Sequence, residues 1–314
     1  MRIFAIFCLV LAICSTAVGR DIFVDNTAGD DRSTGQEPQA MTPQNGPVRT
    51  ITKALKLAAT GDTIVLANTN VPYRENISLV GSRNSGTPKQ PFTIRGNGAI
   101  LDGSAPVPPD AWQSYRGPVF RFSPPRMGYQ QLFLDDLPAV RVFVGRTAVA
   151  PPELQPRQWC SLRGQIYFCV EPMKLPGDYR LSYALQQTGV TLLHVDYVVI
   201  ADLIVQGFLV DGINAFNSDR HVSIVGVTCR GNGRSGLTVG EASLADIDQS
   251  LLGDNGEAQL LTLPYSETHV RDTHLLGNTA PGWVDRGGRV YLDGNRVQGG
   301  ADEFHPTATQ AEKP

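Results

Sequence analysis

The sequence predicts an all-β protein whose short strands wind into a parallel β-helix, a solenoid of stacked coils. The first observation is composition: the 314-residue chain contains 32 Gly and 22 Pro, which favours turns and short strands over long helices. The second is a repeat that begins near residue 197 and returns every 22 to 24 residues, with short strands and a Gly/Asn turn in each copy. One copy is too small to bury its own apolar side, so the copies must stack.

The chain begins with the features of a secretory signal peptide. Arg2 precedes an apolar run at 3–13, and small residues follow at Ala17 and Gly19. We therefore predict a signal peptide over residues 1–19 and a secreted or periplasmic protein. The run is too short to span about 30 Å of hydrocarbon, and no later segment reaches about 18 apolar residues, so no membrane partner is expected. A net charge of −3 without clustered basic residues gives no indication of nucleic acid.

Residues 20–109 are predicted to contain an N-terminal cap and the first coils. Within 48–59, one buried helix face is indicated by apolar residues three or four apart, namely Ile51, Ala54, Leu55 and Ala58. The run TIVL at 63–66 then has the composition of a strand. Strand edges and core lie open at the end of a solenoid and must be covered. The helix is therefore interpreted as a cap lying across the first coil.

A β-rich insertion is predicted over residues 110–186. Two of its short apolar runs flank Arg163-Gly164 and are bracketed by Cys160 and Cys169. A disulfide across such a hairpin is geometrically compatible with an oxidising compartment, and we predict one between these two cysteines. Cys229 lies where the later repeat has small buried apolar residues, so it is interpreted as a buried structural cysteine.

Residues 187–300 carry the later coils, followed by a polar tail at 301–314. Aligning the copies gives a first apolar column of Ile200, Ile224, Ile247, Val270 and Leu292. A second column contains Val205, Cys229, Leu252, Leu275 and Val297. Recurring amides at the next turn predict an internal ladder of Asn232, Asn255 and Asn278. The tail shows no cap and is expected to be flexible, which leaves the far end exposed, covered by a partner, or open to self-association.

The N-terminal part of the chain resembles a known family. Similarity to the start of many secreted right-handed parallel β-helix proteins is carried by DIFVDNTAGDDRSTG, GPVRTITKALKLAATGDTIVL, YRENISL and SGTPKQPFTIRGNGAILDGS. These proteins form the pectate-lyase-like superfamily, and its chondroitinase-B and alginate-lyase branches begin this way. The resemblance covers residues 21–104 and implies a right-handed parallel β-helix and a carbohydrate substrate.

The resemblance implies no specific reaction. Lyases of the chondroitinase-B type use a Lys base on the coils, whereas the only Lys after Lys174 is Lys313 in the tail. The Asn-Thr-Asp, Asp-Asp and Gly-His-Gly motifs of polygalacturonase-type hydrolases are not found on the coils. A site must therefore be inferred from the geometry of the repeat.

Stacking predicts such a site on the last coils. Equivalent residues of adjacent coils lie about 4.8 Å apart, and residues i and i+2 of a strand share a face. Residues one before and one after the inward column therefore point outward together. The candidate catalytic residues are Asp246, His269, Arg271 and Tyr291. The candidate substrate-binding residues are Asp248, Asp272 and Asp293.

This patch is compatible with several chemistries. Elimination beside a uronate carboxyl would use Arg271 or a bound cation to neutralise the carboxylate, and His269 or Tyr291 as base or acid. The carboxylates could instead hold Ca²⁺, or two of them could hydrolyse a glycosidic bond. A solvated face in which Arg271 bridges Asp248 and Asp293 requires no function. We expect a polysaccharide partner, an acidic one, acted on by lyase or hydrolase chemistry; the alternative is a non-catalytic polysaccharide-binding or cell-surface structural protein.

Overall fold

A computed structural model describes residues 19–306 except Pro43, Met127 and Arg146. The predicted signal peptide lies outside the described residues apart from Gly19. Within the described range, no helix combines the length and the apolarity needed to cross a bilayer.

The N-terminal part contains one helix and the first strands, which are β1 Asp21–Val24, α1 Ile51–Leu57, β2 Thr63–Leu66, β3 Ile77–Val80 and β4 Phe92–Asp102. The β-rich insertion follows with short antiparallel strands, which are β5 Ser104–Pro106, β6 Gln113–Arg116, β7 Val119–Phe122, β8 Leu132–Leu134, β9 Leu137–Pro138, β10 Trp159–Leu162, β11 Gln165–Cys169 and β12 Leu181–Ala184.

The later coils begin with β13 Val190–Leu193, β14 Asp196–Gln206, β15 Asp211–Ala215, β16 Arg220–Val225, β17 Thr228–Arg230 and β18 Ser235–Val239. They continue with β19 Leu244–Asp248, β20 Leu251–Gly253, β21 Ala258–Thr262, β22 Glu267–Arg271, β23 His274–Leu275, β24 Trp283–Asp285, β25 Arg289–Leu292 and β26 Asn295–Val297.

Two parallel sheets run along the solenoid. One contains β1, β2, β4, β14, β16, β19, β22 and β25 in spatial order, with β17, β20 and β23 stacked in parallel on the second half of β14. The other contains β3, β13, β15, β18, β21 and β24. In the first sheet, every member of the predicted first column pairs with its counterpart on the next coil and is buried. The predicted right-handed parallel β-helix is confirmed, because each coil adds one strand to each sheet and continues the same core.

The predicted capping helix is also confirmed. Helix α1 begins after Thr50, whose hydroxyl accepts a hydrogen bond from the Lys53 N–H at 3.1 Å. It buries Ile51, Ala54 and Leu55 in the same core as the first coil, whereas Lys56 is exposed. The apolar stripe therefore covers the first coil of the solenoid, as the amphipathic spacing indicates.

The amide ladder forms with one change of member. Asn232 and Asn255 are fully buried, and the Asn232 Nδ2 group donates to Asn255 Oδ1 at 3.0 Å. Asn255 in turn donates to Gln259 Oε1 at 2.7 Å, so Gln259 occupies the next position in the ladder. Asn278 was predicted there, but it is exposed and bonds Asp254 instead.

The insertion folds around a core of its own. Its strands form two four-stranded sheets, in the orders β10-β11-β7-β6 and β5-β12-β8-β9. Buried aromatic residues such as Trp159 and Phe168 fill this core. The strands of these two sheets lie between Ser104 and Ala184. The bounds of 110–186 for the insertion stay a prediction.

The predicted disulfide is wrong. Cys160 and Cys169 are both buried free thiols. In the β10–β11 hairpin Cys160 lies opposite Tyr167, so Cys169 is displaced diagonally by two residues. Diagonal neighbours in a sheet are about 7–8 Å apart. Their Cα atoms therefore lie beyond the range of about 4.4–6.8 Å that a disulfide requires.

The C-terminal end differs from the prediction of an uncapped coil and a flexible tail. Asp293-Gly294 turns the chain back, and β26 pairs antiparallel with β25, so Val297 lies opposite Val290 and leaves the predicted second column. The other four members of that column stack in parallel as expected. Beyond β26, Ala301 bridges Trp283 and Phe304 bridges Leu275, both antiparallel. Residues 301–304 thus cover the last coil; residues 307–314 lie outside the described part.

Candidate functional site

Charged and aromatic side chains gather on the outer face of the last three coils of the first sheet. Asp246 pairs with His269, and His269 pairs with Tyr291, on β19, β22 and β25. The intervening Ile247, Val270 and Leu292 are buried, so the alternation of the strands turns the first three side chains outward. The coil register therefore brings together residues that are more than 20 positions apart in sequence.

His269 is the centre of this arrangement. Its Nε2 lies 3.0 Å from Glu267 Oε1, and its Nδ1 lies 3.8 Å from Asp246 Oδ1. The ring centroid is 4.7 Å from that of Tyr291, with the planes tilted by 51°. The imidazole side chain is 35% exposed, so it is oriented by its neighbours yet open to solvent.

Glu267 and Arg289 were not among the residues predicted from the sequence. Glu267 precedes His269 by two positions on β22 and shares its face, and it pairs with Arg289 across the coils. The Arg289 guanidinium lies 2.5 Å from Glu267 Oε2. The hydrogen bond from His269 and then that from Arg289 hold the pKa of Glu267 below its usual range. The i−2 spacing from His269 was the signal that could have identified Glu267.

Arg271 approaches the other carboxylate. Its guanidinium lies 3.6 Å from Asp246 Oδ1 and its side chain is 51% exposed. Each of the two arginines therefore stands beside one carboxylate, with the imidazole between the carboxylates. We call this group, Asp246, Glu267, His269, Arg271, Arg289 and Tyr291, the outer-face cluster.

The predicted substrate-binding residues lie at its margin. One carboxylate oxygen of Asp248 is buried without a hydrogen-bond partner among the described residues. Asp272 and Asp293 have φ values of 44° and 45°, in the left-handed region that Asp tolerates better than most residues. The Asp272 N–H donates to Asp293 Oδ1 at 3.3 Å. Turn geometry thus accounts for Asp272 and Asp293, and the role of all three in substrate binding stays a prediction.

The Ca²⁺ alternative receives no support from the geometry. Across the described residues, no three or more His, Cys, Asp or Glu side chains are arranged so that they could hold a metal ion. The carboxylates of Asp246 and Glu267 are instead directed at His269 and the two arginines.

Comparisons with known proteins agree with the fold. No family model and no curated protein matches the chain. A solved glycoside hydrolase matches with a TM-score of 0.58 and 11% identity over 81% of this chain and 73% of that one. XylC in complex with xylose (TM-score 0.42, 11% identity, 87% and 69% covered) and the pectate lyase Pel9A (TM-score 0.38, 11% identity, 88% and 68% covered) are more distant. At 11% identity the first likeness shows the β-helix fold alone.

Proposed function

We propose that this protein is a secreted carbohydrate-active β-helix protein that acts on an acidic polysaccharide through the outer-face cluster. The observation that carries the proposal is the placement of His269 between two carboxylates, with the Tyr291 ring beside it and an arginine near each carboxylate. Such convergence of a base, a phenol and cations is what chemistry beside a sugar carboxylate requires.

Elimination fits this cluster better than hydrolysis. Hydrolysis by paired carboxyl groups needs one of them protonated, with a raised pKa. Here the hydrogen bonds from His269 and Arg289 lower the pKa of Glu267, which does not suit the role of the acid. In elimination, His269 would remove the proton next to the uronate carboxyl, the sugar oxygen would leave with a proton from Tyr291, and Arg271 or Arg289 would stabilise the charge of the carboxylate.

Binding without catalysis is the second candidate function, and one observation favours it. The cations of the cluster are already close to carboxylates, at 2.5 Å for Arg289 and 3.6 Å for Arg271. A uronate can exchange with these exposed pairs, because surface ion pairs are weak, and such exchange requires neither a base nor an acid.

Incubation with a panel of uronic-acid polymers tests the proposal, with ultraviolet absorbance of the unsaturated product as the measurement. We expect product from at least one polymer, and we expect His269→Gln to reduce the rate by about 100-fold or more, because a positioned base is lost. His221→Gln is the matched control, since His221 also faces outward on this sheet and contacts Asp196 at 2.8 Å. An unchanged rate in His269→Gln contradicts the assignment, and polymer binding without product supports the second candidate.

Export is part of the same proposal. The apolar run at 3–13 and the small residues after it support removal of residues 1–19. The protein recovered outside the cytoplasm should begin at Arg20 on N-terminal sequencing. A retained Met1 would contradict export by this route.

A further inference from the structure

A second cleft lies where the insertion meets the turns of the coils, and no residue of the outer-face cluster lines it. Its volume is about 310 Å³. One wall consists of residues 138–141 and Phe143 of the insertion, and the other consists of Asp254, Gly256 and residues 278–279 in the coil turns. Ligand sites occupy about 300–1,000 Å³, so this cleft could take a short segment of a chain ligand.

Arg141 supplies an incompletely partnered cation in this cleft. Its guanidinium carbon lies 5.0 Å from the ring centroid of Phe143 and 5.1 Å from that of Trp159. Its Nε is buried and has no hydrogen-bond partner among the described residues. Burial lowers the pKa of Arg141, and the Glu257 carboxylate opposes that effect. A guanidinium nevertheless remains charged, and Arg141 lines the cleft, so this wall favours an anionic partner.

The two aromatic rings have different environments. Trp159 is fully buried and donates its indole N–H to the Ala139 carbonyl at 3.0 Å, which fixes the position of this ring. Phe143, the other ring beside the guanidinium, is 66% exposed. An exposed aromatic ring beside the Arg141 guanidinium offers an apolar face on which a sugar ring can pack.

The opposite wall presents hydroxyl-binding groups. Asn278 Nδ2 donates to Asp254 Oδ1 at 2.9 Å, and the Asp254 N–H donates to Asn278 Oδ1 at 3.0 Å. These contacts hold the carboxylate and the amide side by side at the cleft, where both retain capacity for hydroxyl groups. The wall is held close to the insertion at Gly256, where a Cβ would lie 2.9 Å from Gln131 Nε2 and 2.1 Å from the Gly233 carbonyl oxygen.

We propose that this cleft binds one uronic acid unit of the polysaccharide, away from the outer-face cluster. Arg141 receives the sugar carboxylate, Phe143 packs against the sugar ring, and Asp254 with Asn278 bonds the hydroxyl groups. That the ligand is a polysaccharide rests on the proposed function. That the ligand carries a carboxylate and a flat ring rests on Arg141 and Phe143 in the cleft. The cleft holds the polymer on the protein without cleaving it.

Calorimetric titration of the whole exported chain tests the proposal. The probes are oligouronates from pectate and from alginate, together with their carboxyl-reduced counterparts. We expect one oligouronate to bind and its reduced counterpart to bind at least about tenfold more weakly, because a charge-assisted hydrogen bond is lost. We expect Arg141→Gln to weaken oligouronate binding by a similar factor. Equal affinity for the reduced sugar, or unchanged binding by Arg141→Gln, overturns the proposal.

Two controls separate this site from folding and from the outer-face cluster. Leu137→Ala alters an exposed apolar residue near the cleft that does not line it, and should leave binding unchanged. If Arg141→Gln lowers the melting temperature, Phe143→Ala replaces it, because that side chain is exposed and its loss should weaken binding about threefold or more. The titrations are also run in the His269→Gln background, so that heat from turnover at the outer-face cluster does not enter the binding signal. Elimination without oligouronate binding overturns the cleft proposal alone, and binding without elimination overturns the lyase proposal alone.

Discussion

Asp219 shows how strongly a coil interior acts on a single residue. Its side chain has no solvent exposure, and Oδ1 accepts a hydrogen bond from the Val195 N–H at 2.9 Å. Oδ2 has no hydrogen-bond partner among the described residues. Burial consequently raises the pKa of Asp219 to about 6, although backbone hydrogen bonds oppose the shift.

This shift predicts a pH dependence of stability. Because the folded pKa lies above the unfolded value of about 3.9, the folded state retains a proton that the unfolded state releases, and stability falls as pH rises from about 4 to about 6. Asp219→Asn stays neutral and lacks this loss. The free energy of unfolding of the variant minus that of the parent should therefore increase by about 2–3 kcal/mol from pH 4 to pH 7. Urea unfolding at both pH values measures this. Asp202→Asn, at an exposed left-handed bend, is the control, and a parallel fall in Asp219→Asn would contradict the assignment.

Successive coils are joined by hydrogen bonds between buried amides as well as by strand pairing. Asn255 accepts from both the backbone N–H and the side chain of Asn232, and it donates to the Cys229 carbonyl and to Gln259. Apolar stacking alone would leave these turn carbonyls and N–H groups unpaired inside the solenoid. The Asn255 side chain therefore links two coils, and Gln259 Nε2, which donates to the Ala280 carbonyl at 3.2 Å, extends the ladder to a third.

Removal of that side chain should be costly. We expect Asn255→Ala to lower the free energy of unfolding by about 2–5 kcal/mol, because several buried partners are left unsatisfied. Asn278→Ala is the matched control, since the exposed amide bonds only at the surface and its loss should cost at most about 1 kcal/mol. Denaturant unfolding of both variants gives the comparison. Similar losses in the two variants would show that the ladder adds nothing beyond turn structure.

At the scale of the whole molecule, the two ends of the solenoid are closed in different ways. Helix α1 covers the first coil with an apolar stripe, whereas the last coil is covered by antiparallel segments of the returning chain. Both devices occupy strand edges that would otherwise pair with another chain. Self-association through the C-terminal end stays a prediction. It would require a surface other than the strand edges that this cap already pairs.

Truncation tests the role of the C-terminal cap. A chain that ends at Leu292 should melt at a lower temperature and associate in a concentration-dependent way, because the edges near Leu275 and Trp283 become available. A chain that ends at Pro306 keeps both bridges and is the control. Sedimentation velocity and thermal melts measure both properties, and the same runs on the full chain test its self-association. A monomeric Leu292 chain with unchanged melting would contradict a capping role.

Much of the candidate site follows from the periodicity of the sequence, and its main omission has a physical cause. Asp246, His269 and Tyr291 were aligned correctly because each sits next to a buried residue of the first column. Glu267 and Arg289 were missed because the prediction considered only positions adjacent to that column. Which of several outward neighbours contacts His269 depends on side-chain direction, and the repeat alone does not specify this.

The amino-acid sequence by itself determined the stacking of the coils, the capping helix and strand 63–66, because alternating burial and amphipathic spacing admit one register. The tertiary structure alone decided where that register ends and how local pairs align. Asp293-Gly294 has two positive φ values and reverses the chain, although in sequence it passes for another coil turn. In the β10–β11 hairpin, Cys160 pairs with Tyr167, and Cys169 lies two residues beyond that pair. Turns and cross-strand offsets depend on backbone dihedral angles and contacts between distant segments, which residue order alone leaves open.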